Sequence, residues 1–275
     1  MNKLIEITDK IVEEILEFLY TDEIMNVFLI HYFENQRDSI GEVYIGLNEN
    51  EITEIVHIKY DGNSNFTSFY SNSLDGLDKI AKLIKELNYS DILLAGKKEE
   101  VNYIMNRLEI DKELYLNTYY QFNSNEYQNL NYEEVMNLRK ATRCKRDIDK
   151  VKKYLIEFFG AETEEEIQKI TSEKKINEEL ENGIYLLEEV EGKIIGMARF
   201  FGESRKYIDI TTVFIDEEYR GKGYGKVLMQ LMVKQALENN KIPITQTALS
   251  NKVAKRIYEN IGFNKVCDYT FQFIR

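Results

Sequence analysis

The sequence runs to 275 residues, long for one compact core and enough for two modest ones, and its 43% apolar and 31% charged residues describe a soluble globular chain. Its net charge of −12 is uneven, since residues 1–130 hold 11 Lys+Arg against 24 Asp+Glu while residues 131–275 hold 25 against 24. No basic stripe is available to neutralise phosphates, which excludes a nucleic-acid partner; no run approaches the roughly 18 apolar residues of a membrane span.

Two widely separated cysteines, Cys144 and Cys267, make no disulfide framework and point to a reducing cytoplasm. The opening stretch, MNKLIEITDKIVEEILEFLY, mixes acids into its apolar residues and reads as neither signal nor transit peptide. His31 and His57 follow with no partner at ligand spacing, so they read as packing residues and no metal is expected. NFTSFYSNS (65–73) is strand-like and LDGLDKIAKLIKEL (74–87) helical. SDILLAG (90–96) is a short strand, KKEEVNYIMNRL (97–108) a helix and ELYLNTYYQF (113–122) a closing strand. The polar, Asn-rich QFNSNEYQNLNYEE (121–134) is the expected boundary between two domains, 1–128 and 132–275.

Beyond it, VMNLRKAT (135–142) reads as an entry strand and residues 147–182 as helical. Within the latter, ETEEEIQK (162–169) is a solvated helix start whose acids suit the helix dipole and could draw a cationic amine. Cys144 sits in RCKR, where cations favour a thiolate; an acyl-cysteine route is open there, but an exposed loop thiol is the simpler reading. Tyr185 to Glu189 and Ile194 to Phe201 form a hairpin about Glu191-Gly192-Lys193, and YIDITTVFI (207–215) is a strand rich in β-branched residues. YRGKGYGKVLMQLM (219–232) then packs glycines and cations together before a helix extending to about Asn239. IPITQTAL (242–249), NKVAKRIYENIGF (251–263) and VCDYTFQFI (266–274) read as strand, short helix and strand. Strand, loop, helix, strand, helix, strand thus occurs in both halves, the mark of a diverged internal duplication. The first-half loop, SNSLDG, lacks the glycine cluster and the cations, which predicts one ligand per chain.

Glycine clusters are kept where backbone turns sharply or meets a ligand closely. A dinucleotide fingerprint fails, because Gly221 and Gly223 are followed by Lys226 where the third glycine belongs, and a Walker loop fails because Val227 follows Gly225-Lys226. Arg-x-x-Gly-x-Gly between strand and helix fits Arg220, Gly223 and Gly225. Such a loop offers successive backbone N–H groups to an anion, with Arg220, Lys222 and Lys226 adding positive charge.

On these residues the region from about 134 to 275 resembles the GNAT superfamily of acyl-CoA-dependent N-acyltransferases. VFIDEEYRGKGYGKVLMQLM is similar to the family's CoA-binding strand-to-helix segment; Asn251, Ala254, Tyr258, Gly262 and Phe263 match a second signature, and the EGKIIGMARF hairpin resembles the preceding strand pair. The first half resembles the degenerate partner of tandem members. The resemblance implies an α/β (α+β) chain of two GNAT-like domains, each a mixed, mostly antiparallel sheet flanked by helices, the C-terminal one complete. It further implies acetyl-CoA as co-substrate, with the pyrophosphate on Arg220, Gly221, Lys222, Gly223, Tyr224, Gly225 and Lys226. The pantetheine arm would run along backbone near Val213, Phe214 and Ile215. Tyr258 takes the place of the acid for the departing thiolate, and Asn251 that of a pantetheine contact.

Acyl transfer to an amine also needs the amine neutral. Asp209, eleven residues ahead of Arg220 and on one strand face with Thr211 and Val213 by the period of two, is the first candidate base, with Glu203 and Glu189 behind it. Each residue has a plainer reading: Asp209 as a solvated strand acid, Tyr258 as a packing aromatic, Asn251 as a helix cap. The expected function is a cytoplasmic N-acetyltransferase acting on a small-molecule or peptide amine, as monomer or homodimer. An acyl-CoA sensor without catalysis is the alternative, and a nucleotide-binding protein the weakest reading.

Overall fold

The computed structural model describes residues 1–60, 62, 64–129, 136–189 and 191–274. Residues 130–134, the end of the expected boundary, lie outside the described residues, as do Val135 of the entry strand and Val190 of the hairpin. Ahead of Asn65, where the sequence analysis placed no element, come β1 (Asn2–Lys3), α1 (Asp9–Leu19), α2 (Val27–Asn35), β2 (Glu42–Asn48) and β3 (Glu51–Tyr60). α1 starts where the Thr8 side chain accepts from the Ile11 N–H, and it buries Val12, Ile15, Phe18 and Leu19 at helical spacing. β2 and β3 turn through Glu49 and Asn50, both at positive φ (50° and 72°), as a two-residue hairpin turn requires.

The expected elements of the first half follow as β4 (Asn65–Ser71), α3 (Leu74–Leu87), β5 (Ile92–Lys97), α4 (Lys98–Arg107) and β6 (Leu116–Phe122). Those of the second half are β7 (Met136–Lys140), α5 (Lys145–Phe159), α6 (Glu164–Thr171), α7 (Glu173–Asn182), β8 (Ile184–Glu189), β9 (Ile194–Glu203), β10 (Tyr207–Ile215), α8 (Tyr224–Glu238), β11 (Ile242–Ala248), α9 (Lys252–Asn260) and β12 (Phe263–Phe273). The helical stretch 147–182 is three helices. Gly160 ends α5 in the left-handed region, Thr163 and Glu166 form a capping box on α6, and Ser172 caps α7.

Among the described residues the two halves share one sheet of twelve strands, in the order β1-β2-β3-β4-β5-β12-β6-β11-β10-β9-β8-β7. All neighbours are antiparallel except β4–β5 and β10–β11, so the repeated strand-helix-strand unit is parallel in both halves. The last strand of each half is exchanged: β12 pairs with β5 of the first half, and β6 pairs with β11 of the second. α8 and α9 cover one face of the second half around Leu228, Met232 and Tyr258, while α5 and α7 cover the other around Tyr154, Leu155 and Ile176. Where the halves join, Tyr119, Ile244 and Tyr269 pack with Val27 of α2.

Candidate active site

β10 and β11 are paired only from Tyr207–Ile242 to Asp209–Ile244; beyond that they part, and β11 continues on β6. The gap opens into a cleft of about 1030 Å³ lined by residues from Ile210 to Ile215, Thr245 to Ala248, the loop before α8, and one side of α9. β10 is bulged on its other flank as well. Its pairing with β9 jumps between Thr211 and Phe214, and Thr212 takes a φ of 53°. The backbone of Thr212 and Val213 therefore stands outside the β9 ladder, beside the cleft.

The bulge alters which side chains share a face. Val213 and Ile215 pack with the α8–α9 cluster, whereas Phe214 turns to α5, its ring 5.0 Å from that of Tyr154. Unbroken alternation would have placed Val213 with Asp209, and that expectation is corrected here. Ile210 packs toward Met229 and Tyr258; its neighbour Asp209 points to the opposite side, level with Ile244 and close to Tyr119. Asp209 is 2% exposed, Oδ1 has no hydrogen-bond partner among the described residues, and the residue is absent from the cleft lining. Burial pushes its carboxyl well above the ordinary carboxylate range, against the pull of the Arg199 guanidinium. Glu203 is ion-paired with Lys241 at 2.7 Å, and Glu189 sits at the hairpin turn, receiving the Gly192 N–H on its backbone oxygen. Neither lines the cleft.

The glycine loop closes one end of the cleft. Gly221 and Gly223 have φ of 76° and 87°, in the left-handed region that favours glycine, and a Cβ on either would meet nothing within 4 Å. Gly223 caps α8, and the first amides to turn back into the helix are those of Lys226 and Val227, both onto the Gly223 carbonyl. The amides just ahead of them face outward, as at any helix start. Arg220 donates through Nε to the Ile215 carbonyl at 3.0 Å, with its guanidinium 5.2 Å from the Phe214 ring, so its position is fixed while its charge stays exposed. Lys222 lies over Tyr219 at 5.0 Å, and Tyr219 and Tyr224 stand with ring centroids 6.0 Å apart on the cleft wall.

Tyr258 comes from α9, 6% exposed, its ring edge-on to Tyr120 at 5.7 Å. Burial pushes its hydroxyl up to about 12. Asn251 caps α9, its Oδ1 accepting from the Ala254 N–H at 3.1 Å, and it lines the cleft too. Tyr224, Lys226 and the backbone of Val213 to Ile215 join the same lining. Sequence reasoning missed Thr245, Phe158 of α5, and Tyr115 and Asn117 from the first half, which reach the cleft through the exchanged β6.

The other singled-out residues lie elsewhere. Cys144 is exposed at the start of α5, and Cys267 is half-buried with Sγ 4.0 Å from Met25 Sδ. His57 is buried, bonded through Nε2 to the Ile40 carbonyl, and desolvation lowers its pKa to about 4. His31 bonds Asn35 and Gln36, both at 3.2 Å, and sets its ring against Phe201. Among the described residues no cluster of three or more His, Cys, Asp and Glu is placed to hold a metal, and no helix is long and apolar enough to cross a membrane.

The same region carries the likeness to known proteins. Residues 148–263 match the family described as acetyltransferase (GNAT). A UPF0039 protein of Schizosaccharomyces pombe is 31% identical over 94 residues, a match spanning 33% of this chain and 60% of that protein. The chloroplastic GCN5-related N-acetyltransferase 2 of Arabidopsis thaliana is 37% identical over 73 residues, 26% of this chain and 28% of its own length. Fold likeness extends much further. A GNAT-family acetyltransferase structure from Colwellia psychrerythraea superposes with a TM-score of 0.62 at 14% identity, covering 99% of this chain and all 100% of its own. A tandem GNAT protein of the clavulanic acid biosynthesis pathway gives 0.66 at 10% identity, covering 98% and 96%. Residues 148–263 are thus similar to the acetyltransferase (GNAT) family, within a fold that GNAT structures share along nearly the whole chain.

Proposed function

We propose that this chain is a cytoplasmic N-acetyltransferase that carries the acetyl group of acetyl-CoA to a primary amine by direct attack within a ternary complex. The observation behind this reading is the convergence, in one cleft, of a glycine-capped helix start, an unpaired strand backbone and a buried tyrosine hydroxyl. The amides from Gly221 to Gly225 would hold the pyrophosphate, with Arg220, Lys222 and Lys226 balancing its charge. Backbone groups between Thr212 and Ile215 would hold the pantetheine arm much as a neighbouring strand would, beside Asn251. The acyl carbonyl would then lie near the apex of the gap, whose lining includes Tyr258.

Tyr258 then serves as the acid: its hydroxyl gives a proton to sulfur as the carbon–sulfur bond breaks. Geometry comes before basicity in choosing a base, and Asp209 faces away from the cleft. We therefore assign the loss of the amine's proton to water, with Asp209 buried outside the cleft.

The matching places in the first half support a single donor site per chain. Where β4 and β5 part, the Phe69 ring lies on Gly96 so closely that a Cβ there would fall 2.7 Å from Phe69 Cζ. Beneath the start of α3 sits the buried carboxylate of Glu54, paired with Lys79 at 3.1 Å, and a Cβ on Gly76 would fall 2.9 Å from Glu54 Oε1. An aromatic ring thus fills the gap, and an internal carboxylate holds the helix start where an incoming anion would be repelled.

Calorimetric titration of acetyl-CoA into wild type and Gly223→Asp tests the reading. One site per chain, lost in the variant, is expected. No binding, or two equal sites, overturns it.

A further inference from the structure

The bulge in β10 is held by a side chain of the strand it departs from. Arg199 on β9 is the partner of Thr211, and pairing resumes only at Phe214–Met197, so Thr212 and Val213 stand against Ala198 alone. Thr212 reaches that geometry with a φ of 53°, a conformation that β-branched residues rarely adopt. Its hydroxyl accepts from Arg199 Nε at 2.9 Å. The same guanidinium pairs through Nη1 with Glu179 of α7, whose carboxylate also lies 3.1 Å from Lys175 Nζ. Thr212 and Glu179 are both buried, at 3% and 2% exposure.

We propose that Arg199, anchored by Glu179, is a positioning residue for the acyl donor: it locks Thr212 in the left-handed conformation and so keeps the backbone from Thr212 to Ile215 turned toward the pantetheine arm. The inference rests on the acyl-CoA reading of the cleft and adds to it a determinant of donor affinity that lies outside the cleft. Thr212 lines the cleft, whereas neither Arg199 nor Glu179 does. Helix α7, on the far side of β9 from the glycine loop, thereby controls the shape of the strand that the donor would lie along.

The geometry favours this role over an ordinary ion pair. A guanidinium presents its N–H groups in a rigid planar fork, so anchoring Nη1 on Glu179 fixes the direction in which Nε points. The Phe201 ring, 5.4 Å from the guanidinium carbon, holds the same group from another side. Glu179 engages only the Nη end; Nε is directed to a neutral hydroxyl, on the one residue of β10 with positive φ. A hydrogen bond with a charged donor is roughly twice as strong as a neutral one, and it opposes the strain of holding a β-branched residue in the left-handed region. Relaxed to the extended form, Thr212 would turn the peptide groups on either side of it, and these are among the groups assigned to the pantetheine arm.

The test measures the affinity of two ligands by calorimetry: acetyl-CoA, and the phosphoadenosine diphosphate portion of CoA, which keeps the pyrophosphate and lacks the pantetheine arm. Wild type is compared with Thr212→Val, Thr212→Ser, Thr212→Gly, Arg199→Met, and Arg199→Met combined with Thr212→Gly. Thr212→Val keeps the shape and loses the acceptor, so the Kd for acetyl-CoA should rise about tenfold while that for the smaller ligand changes by less than about twofold. Thr212→Ser restores the acetyl-CoA affinity. Arg199→Met alone weakens acetyl-CoA by a similar factor, but by less than about twofold in the Thr212→Gly background, because glycine takes positive φ without a clamp. Unchanged acetyl-CoA affinity in Thr212→Val, a Thr212→Ser no better than Thr212→Val, or an equal loss for both ligands would each overturn the inference. So would an Arg199→Met loss that persists beside Thr212→Gly; if Arg199→Met does not fold, the Thr212 series decides alone. A wild type that does not bind acetyl-CoA would instead overturn the acyl-CoA reading beneath it.

Discussion

Replacing Gly225 by alanine separates what the glycine loop does for the fold from what it does for a ligand. Unlike Gly221 and Gly223, Gly225 is not in the left-handed region, and it lies in the first turn of α8. A methyl group there would meet Ile257 Cδ1 at 3.4 Å and Ile215 Cγ1 at 3.9 Å, both ordinary contacts. With neither strain nor clash, alanine should stabilise the unliganded protein, since glycine costs a helix about 0.5–1 kcal/mol relative to alanine. For a chain of this size that is a rise of roughly 2 °C in Tm. Yet Ile215, Gly225 and Ile257 all line the cleft, so the methyl would stand in the space assigned to acetyl-CoA. Affinity should fall at least tenfold, or about 1.4 kcal/mol. Thermal unfolding and calorimetric titration on the same samples measure both effects. A variant that is more stable and binds acetyl-CoA as wild type does would refute the cradle as drawn; a less stable one would mean that Gly225 is retained for packing.

Two further predictions concern the frame around the site. Asp147, fully buried at the start of α5, accepts from Arg139 at 2.7 and 2.8 Å and from the N–H and hydroxyl of Thr142, both at 2.8 Å. The Arg139 guanidinium, with help from Thr142, holds its pKa well below the usual carboxylate range. Its stabilisation is therefore complete above the unfolded carboxyl pKa of about 3.9 and is lost as pH falls through the lower folded value. Asp147→Asn should cost about 3 kcal/mol at pH 7 in denaturant unfolding, the gap to wild type closing below about pH 4; a constant gap would contradict the assignment. We also expect segments 1–128 and 132–275, produced separately, to fail to unfold cooperatively and to co-purify in equal amounts when expressed together. Each lacks the strand that the other inserts into its sheet. An isolated 132–275 that melts cooperatively and binds acetyl-CoA as the whole chain does would make the exchange dispensable.

The features legible in the sequence were those whose physics is local. Gly221 and Gly223 declare a backbone demand that other residues meet poorly, and Asn251 declares a helix start, so loop and cap were placed without knowledge of the sheet. α1 was equally local, with Thr8 as cap and Val12, Ile15 and Leu19 as stripe, and it went unread because its acids were weighed only against a targeting segment. The bulge at Thr212 has no such signature. β-branched residues avoid positive φ, so Thr-Thr-Val argued for an unbroken strand with Asp209 and Val213 on one face. Thr245 was invisible for another reason: its significance lies in the loss of pairing between β10 and β11, a long-range fact. So does that of Tyr115 and Asn117, which belong to the cleft only because β6 crosses into the other half.

That crossing bears on why a first half without the proposed donor site stands beside the second. Both halves end a parallel strand pair in a fork, and in the second half a bulge and a glycine-capped helix hold the fork open. In the first half Phe69 occupies the fork and Glu54 the helix start, so the corresponding space is filled by buried side chains. A free-standing domain could lose its companion after such a change. Here β6 of the first half supplies the far neighbour of β11, and without it the strand carrying Thr245, Gln246 and Thr247 would be a bare edge on one side and an opened fork on the other. β11 would then have only its three residue pairs with β10 to fix its position. The first half no longer needs a ligand of its own to be retained; it sets the position of the strand on which the apex of the remaining site is built.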